Sequence, residues 1–114
     1  MATIYKICPA ALWQSALKVG VFAGSEVDRT DGYIHFSTAS QIASTLARHY
    51  PGVAGLLLAA FDETKLAPPV RYEPARGGML FPHLYGPFDP AQALWVAPLP
   101  LASDGSHVLP DLQP

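Results

Sequence analysis

Apolar and polar positions along this chain alternate with two different periods, and the changes of period mark out its elements. Thr3 to Cys8 is an apolar run of strand length. Leu12, Trp13, Ala16 and Leu17 then recur at helical spacing, which predicts a helix opened by Pro9 and closed by Gly20 in a left-handed C-cap. That stripe makes Trp13 a core residue. Val21 to Thr30 shows no period and reads as a polar loop, its Glu26, Asp28, Arg29 and Asp31 being solvated charges, with Asp28 or Arg29 placed to border a pocket. From Tyr33 the pattern alternates strictly: Ile34 and Phe36 point to a core, while Tyr33, His35 and Ser37 share the opposite face.

Ser37 or Thr38 next caps a helix, with Gln41 three residues beyond Thr38 in a capping-box pattern. The helix runs from about Ala39 to Tyr50, carries Ile42, Ala43 and Leu46 on one stripe, and stops at Pro51-Gly52. Gly55 to Phe61 is continuously apolar, as expected of a central strand covered on both faces. Val70 to Glu73 is a short extended segment with Arg71 and Glu73 on one face. Met79 to Pro87, with two prolines and a glycine, suits an edge strand or a stiff irregular segment in which His83 and Tyr85 share a face. Asp89 caps a short turn, and Leu94 to Leu99 forms a last strand. The chain beyond Leu101 is polar and proline-containing, and is expected to be a loosely ordered tail (102–114) with an exposed His107. The order β-α-β-α-β followed by short strands predicts an α+β fold, a mixed or antiparallel split sheet with two main helices, in a single domain over 1–101.

Composition narrows the function classes. Half of the 114 residues are hydrophobic and 14% are charged, as a packed globule requires. A net charge of −2 with scattered Lys and Arg gives no nucleic-acid signature. The longest apolar stretch is far short of a membrane span, and no secretory leader is evident, so the expectation is a cytoplasmic protein, monomeric or weakly dimeric. The single cysteine, Cys8, reads as buried and inert, and no Cys/His spacing matches a zinc site.

Candidate chemistry lies on three segments: His35 and Ser37, Arg71 and Glu73, His83 and Tyr85. A carboxylate beside a histidine can orient it, arginine can pair with phosphate, and tyrosine can stack or donate. Two readings stand side by side. Either the segments converge on one site, or Arg71 pairs with Glu73 at the surface and His83 caps a loop. The mouth of the helix after Thr38 adds N–H groups that favour an anionic or strongly polar ligand.

Tyr5-Lys6-Ile7 with Trp13, Ala16 and Gly20, then Asp31-Gly32-Tyr33-Ile34-His35-Phe36-Ser37-Thr38 with Gln41, and Tyr72-Glu73 with Phe81-Pro82-His83-Leu84-Tyr85-Gly86, resemble a bacterial family, domain of unknown function 952 (DUF952). The resemblance spans about residues 3 to 100. It implies an ADP-ribosylation-like fold, whose members bind NAD or ADP-ribosyl compounds and transfer ADP-ribose or remove a 2′-phosphate from spliced RNA. His35-x-Ser37 is similar to the strand-borne histidine and small hydroxyl that contact ribose in such enzymes. Tyr85 and Glu73 are analogues, by residue type, of the stacking tyrosine and the late glutamate, although Glu73 precedes Tyr85 here. The function so implied is binding of a nucleotide or an NAD- or ADP-ribose-like ligand, with ADP-ribosyl or phosphotransfer chemistry. His35, Glu73 and His83 would be the catalytic groups, and Tyr33, Ser37, Thr38, Arg71 and Tyr85 the ligand contacts, with no metal. The alternatives are a non-catalytic binding module and a small hydrolase or isomerase using a His35/His83 acid–base pair.

Overall fold

The computed structural model describes residues 2–114, the side chain of Arg76 aside. Among the described residues, seven strands build two antiparallel sheets. The larger one takes its strands from β1 (Thr3–Pro9), β3 (Ser37–Thr38), β4 (Leu56–Asp62) and β7 (Trp95–Pro98), in the order β3-β1-β4-β7. The smaller one has the order β2-β6-β5, from β2 (Ile34–His35), β5 (Arg71–Pro74) and β6 (Leu80–Leu84). The expectation of an α+β fold with a split sheet holds at this level, and among the described residues every strand pairing is antiparallel.

Alternation decides how the layers stack. On β1, Ile4 and Cys8 face one way and join Phe61 of β4 with Trp13, Phe22, Ile34, Phe36, Leu84 and Phe88 in one core. Tyr5 and Ile7 face the other way and meet Leu58, Ala60, Ile42, Leu46 and Leu99 in a second. The large sheet is thus the middle layer. The first core lies under α1 (Ala10–Val19) and the inner face of the small sheet, and the second under α3 (Ile42–His49). β4 is buried along its whole length because both of its faces are covered. Gly20 closes α1 in the left-handed conformation, as its position suggested.

The structure corrects four expectations. The segment read as a loop contains a six-residue helix, α2 (Glu26–Asp31), which hydrophobic period could not reveal because its buried residue is Asp28. The helix expected from Ala39 begins as a 3-10 turn, Ala39–Gln41, and becomes α-helical at Ile42. β6, expected from its two prolines and glycine to be an edge strand or a stiff irregular segment, is the centre of its sheet. The carbonyl of Pro82 accepts from the Phe36 N–H (3.0 Å), so its ring nitrogen faces the same side, where β2 has ended and no ladder donor is needed.

The tail is the fourth. Tyr5 donates its hydroxyl to the Gln113 carbonyl (2.6 Å) and accepts from the Gln113 N–H (2.7 Å). Leu109 and Leu112 pack on the second core, and His107 Nε2 sits 2.7 Å from the Val53 carbonyl. A polar, proline-containing segment is therefore fastened by two leucines and one buried tyrosine. Among the described residues no helix is long and apolar enough to cross a membrane.

Candidate functional site

The five residues Ile34 to Thr38 form a joint between the sheets. Ile34 and His35 pair with β6, Phe36 bends across, and Ser37 and Thr38 pair with β1. Because β3 covers only Ile4 and Tyr5 of β1, the strand loses that neighbour from Lys6 onward. The space so opened is a cavity of about 570 Å³, lined among others by Lys6, Asp28, Asp31, Tyr33, His35, Ser37, Arg48, Tyr50, Phe81 and His83. Its volume falls in the range of small-molecule sites, roughly 300–1,000 Å³.

One wall is organised by Asp28. Ser25 and Asp28 form a capping box at the start of α2: the Asp28 N–H donates to Ser25 Oγ (3.3 Å) and the Ser25 N–H to Asp28 Oδ2 (2.9 Å). The same carboxylate accepts from Lys6 Nζ (2.8 Å), from the His35 N–H (3.0 Å) and from the His35 ring at Nδ1 (2.6 Å). Lys6 also donates to the His35 carbonyl (2.9 Å). Burial alone would push the Asp28 carboxyl up. The hydrogen bond from His35, the Lys6 ammonium and the Ser25 amide outweigh it, and hold the group well below the usual carboxylate range. Lys6 and Asp28 are almost fully buried, and each satisfies the other. On its other nitrogen, His35 Nε2 lies 3.0 Å from Asp31 Oδ2 at the partly exposed rim.

The second histidine arrives by strand pairing. His83 is the direct cross-strand partner of His35, and the two rings lie 5.6 Å apart at 72°. Glu73, from the neighbouring β5, accepts from His83 Nδ1 (2.8 Å), and Tyr85 donates its hydroxyl to the same Glu73 oxygen (2.7 Å). The Tyr85 hydrogen bond, then that from His83, lowers the Glu73 carboxyl, while the Glu73 bond raises the Tyr85 phenol. The Tyr33 ring packs on both imidazoles and on Tyr85, at 4.7, 4.1 and 5.2 Å between centroids. Burial, followed by the charges of Asp31 and Glu73, raises the Tyr33 phenol. Each imidazole is thus tethered at Nδ1 by a carboxylate, an arrangement that fixes the orientation of both rings and the tautomer of His83.

The three segments singled out in the sequence therefore meet at the junction of the two sheets. Tyr33, His35, Ser37 and His83 line the cavity. Glu73 and Tyr85 stand behind His83 and are not among the lining residues. Arg71 lies over the Tyr85 ring, 4.8 Å from its centroid, outside the cavity and without an ion pair to Glu73. Thr38 also lies outside; its N–H donates to Gln41 Oε1 (3.0 Å) in front of a three-residue turn, so the expected helix mouth does not open on the cavity. Ser37 Oγ is 3.2 Å from Thr45 Oγ1 of α3. Among the described residues, no group of three His, Cys, Asp or Glu side chains is placed to hold a metal ion.

Sequence reasoning missed Lys6 and Arg48, and gave Asp28 only a border role. One signal for Lys6 was available: it is the lone charge inside an otherwise strand-like segment, at a position whose neighbours in the alternation, Ile4 and Cys8, are core. The spacing Ser25-x-x-Asp28 was a capping-box signal for α2. Arg48 carried none, being a charge on the solvent side of an amphipathic helix.

The fold and cavity define a class, a small α+β protein with two antiparallel sheets and two carboxylate-tethered histidines at their junction. Residues 7–96 match the family described as protein of unknown function (DUF952), and the chain belongs to that family. The chain is similar to the crystal structure of protein CC0527 from Caulobacter crescentus, with 40% identity, 93% of each chain covered and a TM-score of 0.87. It is likewise similar to the solution NMR structure of CC0527, with 40% identity over 93% of this chain and 91% of that one, and a TM-score of 0.83. No curated protein matches the chain.

Proposed function

We propose that the chain binds a nucleotide-sized polar ligand of the NAD or ADP-ribose type in the cavity between its sheets, and that the His35/His83 pair exchanges protons with it. One observation carries the reading: two imidazoles on paired strands, both tethered through Nδ1 by carboxylates, face a common cavity. With Nδ1 committed to Glu73, the nitrogen through which His83 serves a ligand is Nε2. With Nδ1 held by Asp28, the neutral His35 ring meets the ligand at Nε2 as an acceptor, from a ribose hydroxyl that takes the place of Asp31, a side chain on the rim. Tyr33 gives the pair a rigid aromatic backing and the ligand a ring to lie against.

The resemblance to ADP-ribosylation-like folds supports the choice of ligand, since His35 and Ser37 both line the cavity as that pattern needs. Glu73 fits a supporting role better than a place beside an attacked ribose carbon, because one of its oxygens already holds His83 and Tyr85. Proton transfer in a hydrolase or phosphotransferase reaction is therefore favoured over ADP-ribosyl transfer.

The test is a thermal-shift and calorimetric titration with NAD, ADP-ribose and a 2′-phosphorylated nucleotide, on the wild type and on His83→Asn. A ligand at 100 times its dissociation constant stabilises the native state by about 2.7 kcal/mol, on the order of 10 °C in Tm for a domain of this size. The expected result is a shift with at least one ligand, weakened in His83→Asn. No shift with any of the three would refute the reading. Binding without turnover would leave a ligand-binding module in place of an enzyme.

A further inference from the structure

Resting on that reading, and narrowing its substrate class, we infer that the cavity holds an oxyanion subsite whose cation is Arg48, on the α3 wall, rather than Arg71. Two carboxylates line the cavity, Asp28 and Asp31. Asp28 is committed to Lys6, His35 and the Ser25 amide, and Asp31 to His35 Nε2. The Lys6 ammonium is taken up by Asp28 and by the His35 carbonyl. His83 is held by Glu73 from behind. Arg48 also lines the cavity, and among the described residues no carboxylate lies within ion-pair distance of it. Each acid that lines the cavity thus has an internal partner, and among the described lining residues Arg48 is the permanent cation without a carboxylate partner.

Position agrees with charge. Arg48 sits in the last turn of α3, and its helix also presents Thr45, whose Oγ1 is 3.2 Å from Ser37 Oγ. The α3 wall therefore offers a guanidinium and hydroxyl groups, while the small sheet offers the two imidazoles. A ligand that fills both parts carries an oxyanion at one end and a proton-exchanging group at the other. A guanidinium binds phosphate or carboxylate oxygens in pairs, so the shared chemistry is a phosphate or carboxylate group on the substrate. Arg71, the arginine favoured by sequence, is occupied on the Tyr85 ring outside the cavity.

The experiment compares the wild type, Arg48→Gln and Arg48→Lys by calorimetry with four probes: ADP-ribose, inorganic pyrophosphate, succinate and adenosine. Arg48 is exposed, so both variants should melt like the wild type without ligand. The expected result is a loss of about tenfold or more in affinity for ADP-ribose and for one of the two small anions in Arg48→Gln. Arg48→Lys should recover part of it, and adenosine should bind all three proteins alike. A response to pyrophosphate alone assigns a phosphate subsite, and one to succinate alone a carboxylate subsite. Equal affinity for the anionic probes in wild type and Arg48→Gln would overturn the subsite while leaving nucleotide binding intact. Absence of any binding to the wild type would overturn both.

Discussion

Replacing Asp28 by Asn is the sharpest perturbation available, because one buried carboxylate joins α2, β1 and the site strand. The wild-type group accepts four hydrogen bonds, from Lys6 Nζ, the Ser25 N–H, the His35 N–H and the His35 ring. An amide of the same shape has one acceptor oxygen and presents an NH₂ to the remaining donors. The larger cost is electrostatic: the Lys6 side chain is only 5% exposed, and Asn leaves its charge without a counter-ion. Breaking a buried pair from one side costs about 3–5 kcal/mol, a substantial part of the roughly 5–15 kcal/mol that holds such a domain together. Urea denaturation near neutral pH should show a loss of that size. Adding Lys6→Met removes the stranded cation, and the double variant should regain about 1–3 kcal/mol over the sum of the singles. The pH dependence has a fixed sign. The folded-state carboxyl titrates below its ordinary value, so its contribution is complete above about pH 4 and is lost as the pH falls further. The gap between wild type and Asp28→Asn should therefore narrow in acid. A single variant within 1 kcal/mol of wild type at about pH 7, or a double variant no better than additive, would refute this account of the Lys6–Asp28 pair.

Three further outcomes are expected. Gly24 has φ +111°, and a Cβ there would lie 2.9 Å from Asp28 Cβ, so Gly24→Ala should lower stability by about 1–3 kcal/mol and disturb His35 resonances in NMR spectra. Glu73→Gln replaces the charged acceptor that raises the Tyr85 phenol by a neutral one, so ultraviolet titration should find Tyr85 ionising at lower pH than in wild type; an unchanged titration would contradict the Glu73–Tyr85 bond. Burial pushes the Cys8 thiol up to about 11, so thiol reagents should label it slowly in the native protein and rapidly in urea, and quick native labelling would show β1 to be accessible.

Much of the fold was legible because it is written in apolar periodicity. β1, α1 and β4 announce themselves by runs and stripes, and the alternation of Ile34 and Phe36 against Tyr33, His35 and Ser37 gives the orientation of the site strand. Illegible were the features whose inward residue is polar or whose partner lies far along the chain. α2 turns an aspartate inward, and the tail depends on a tyrosine 108 residues away. Pro82 misled because the usual prohibition on central-strand proline lapses where the neighbouring strand breaks, and that break is visible only in three dimensions. In the site, the histidines and Glu73 could be named by type and spacing. Their pairing could not, since β2 meets β6 across nearly fifty residues of chain that includes α3 and β4.

The central claim, a ligand site at the junction of the sheets, is tested most directly by titrating ADP-ribose into isotope-labelled protein and following backbone and histidine-ring resonances. Shifts should concentrate on Tyr33, His35, Ser37, Arg48 and His83, with the β7 edge unmoved. Spectra that do not change at saturating ADP-ribose, or shifts confined to residues away from these five, would contradict it.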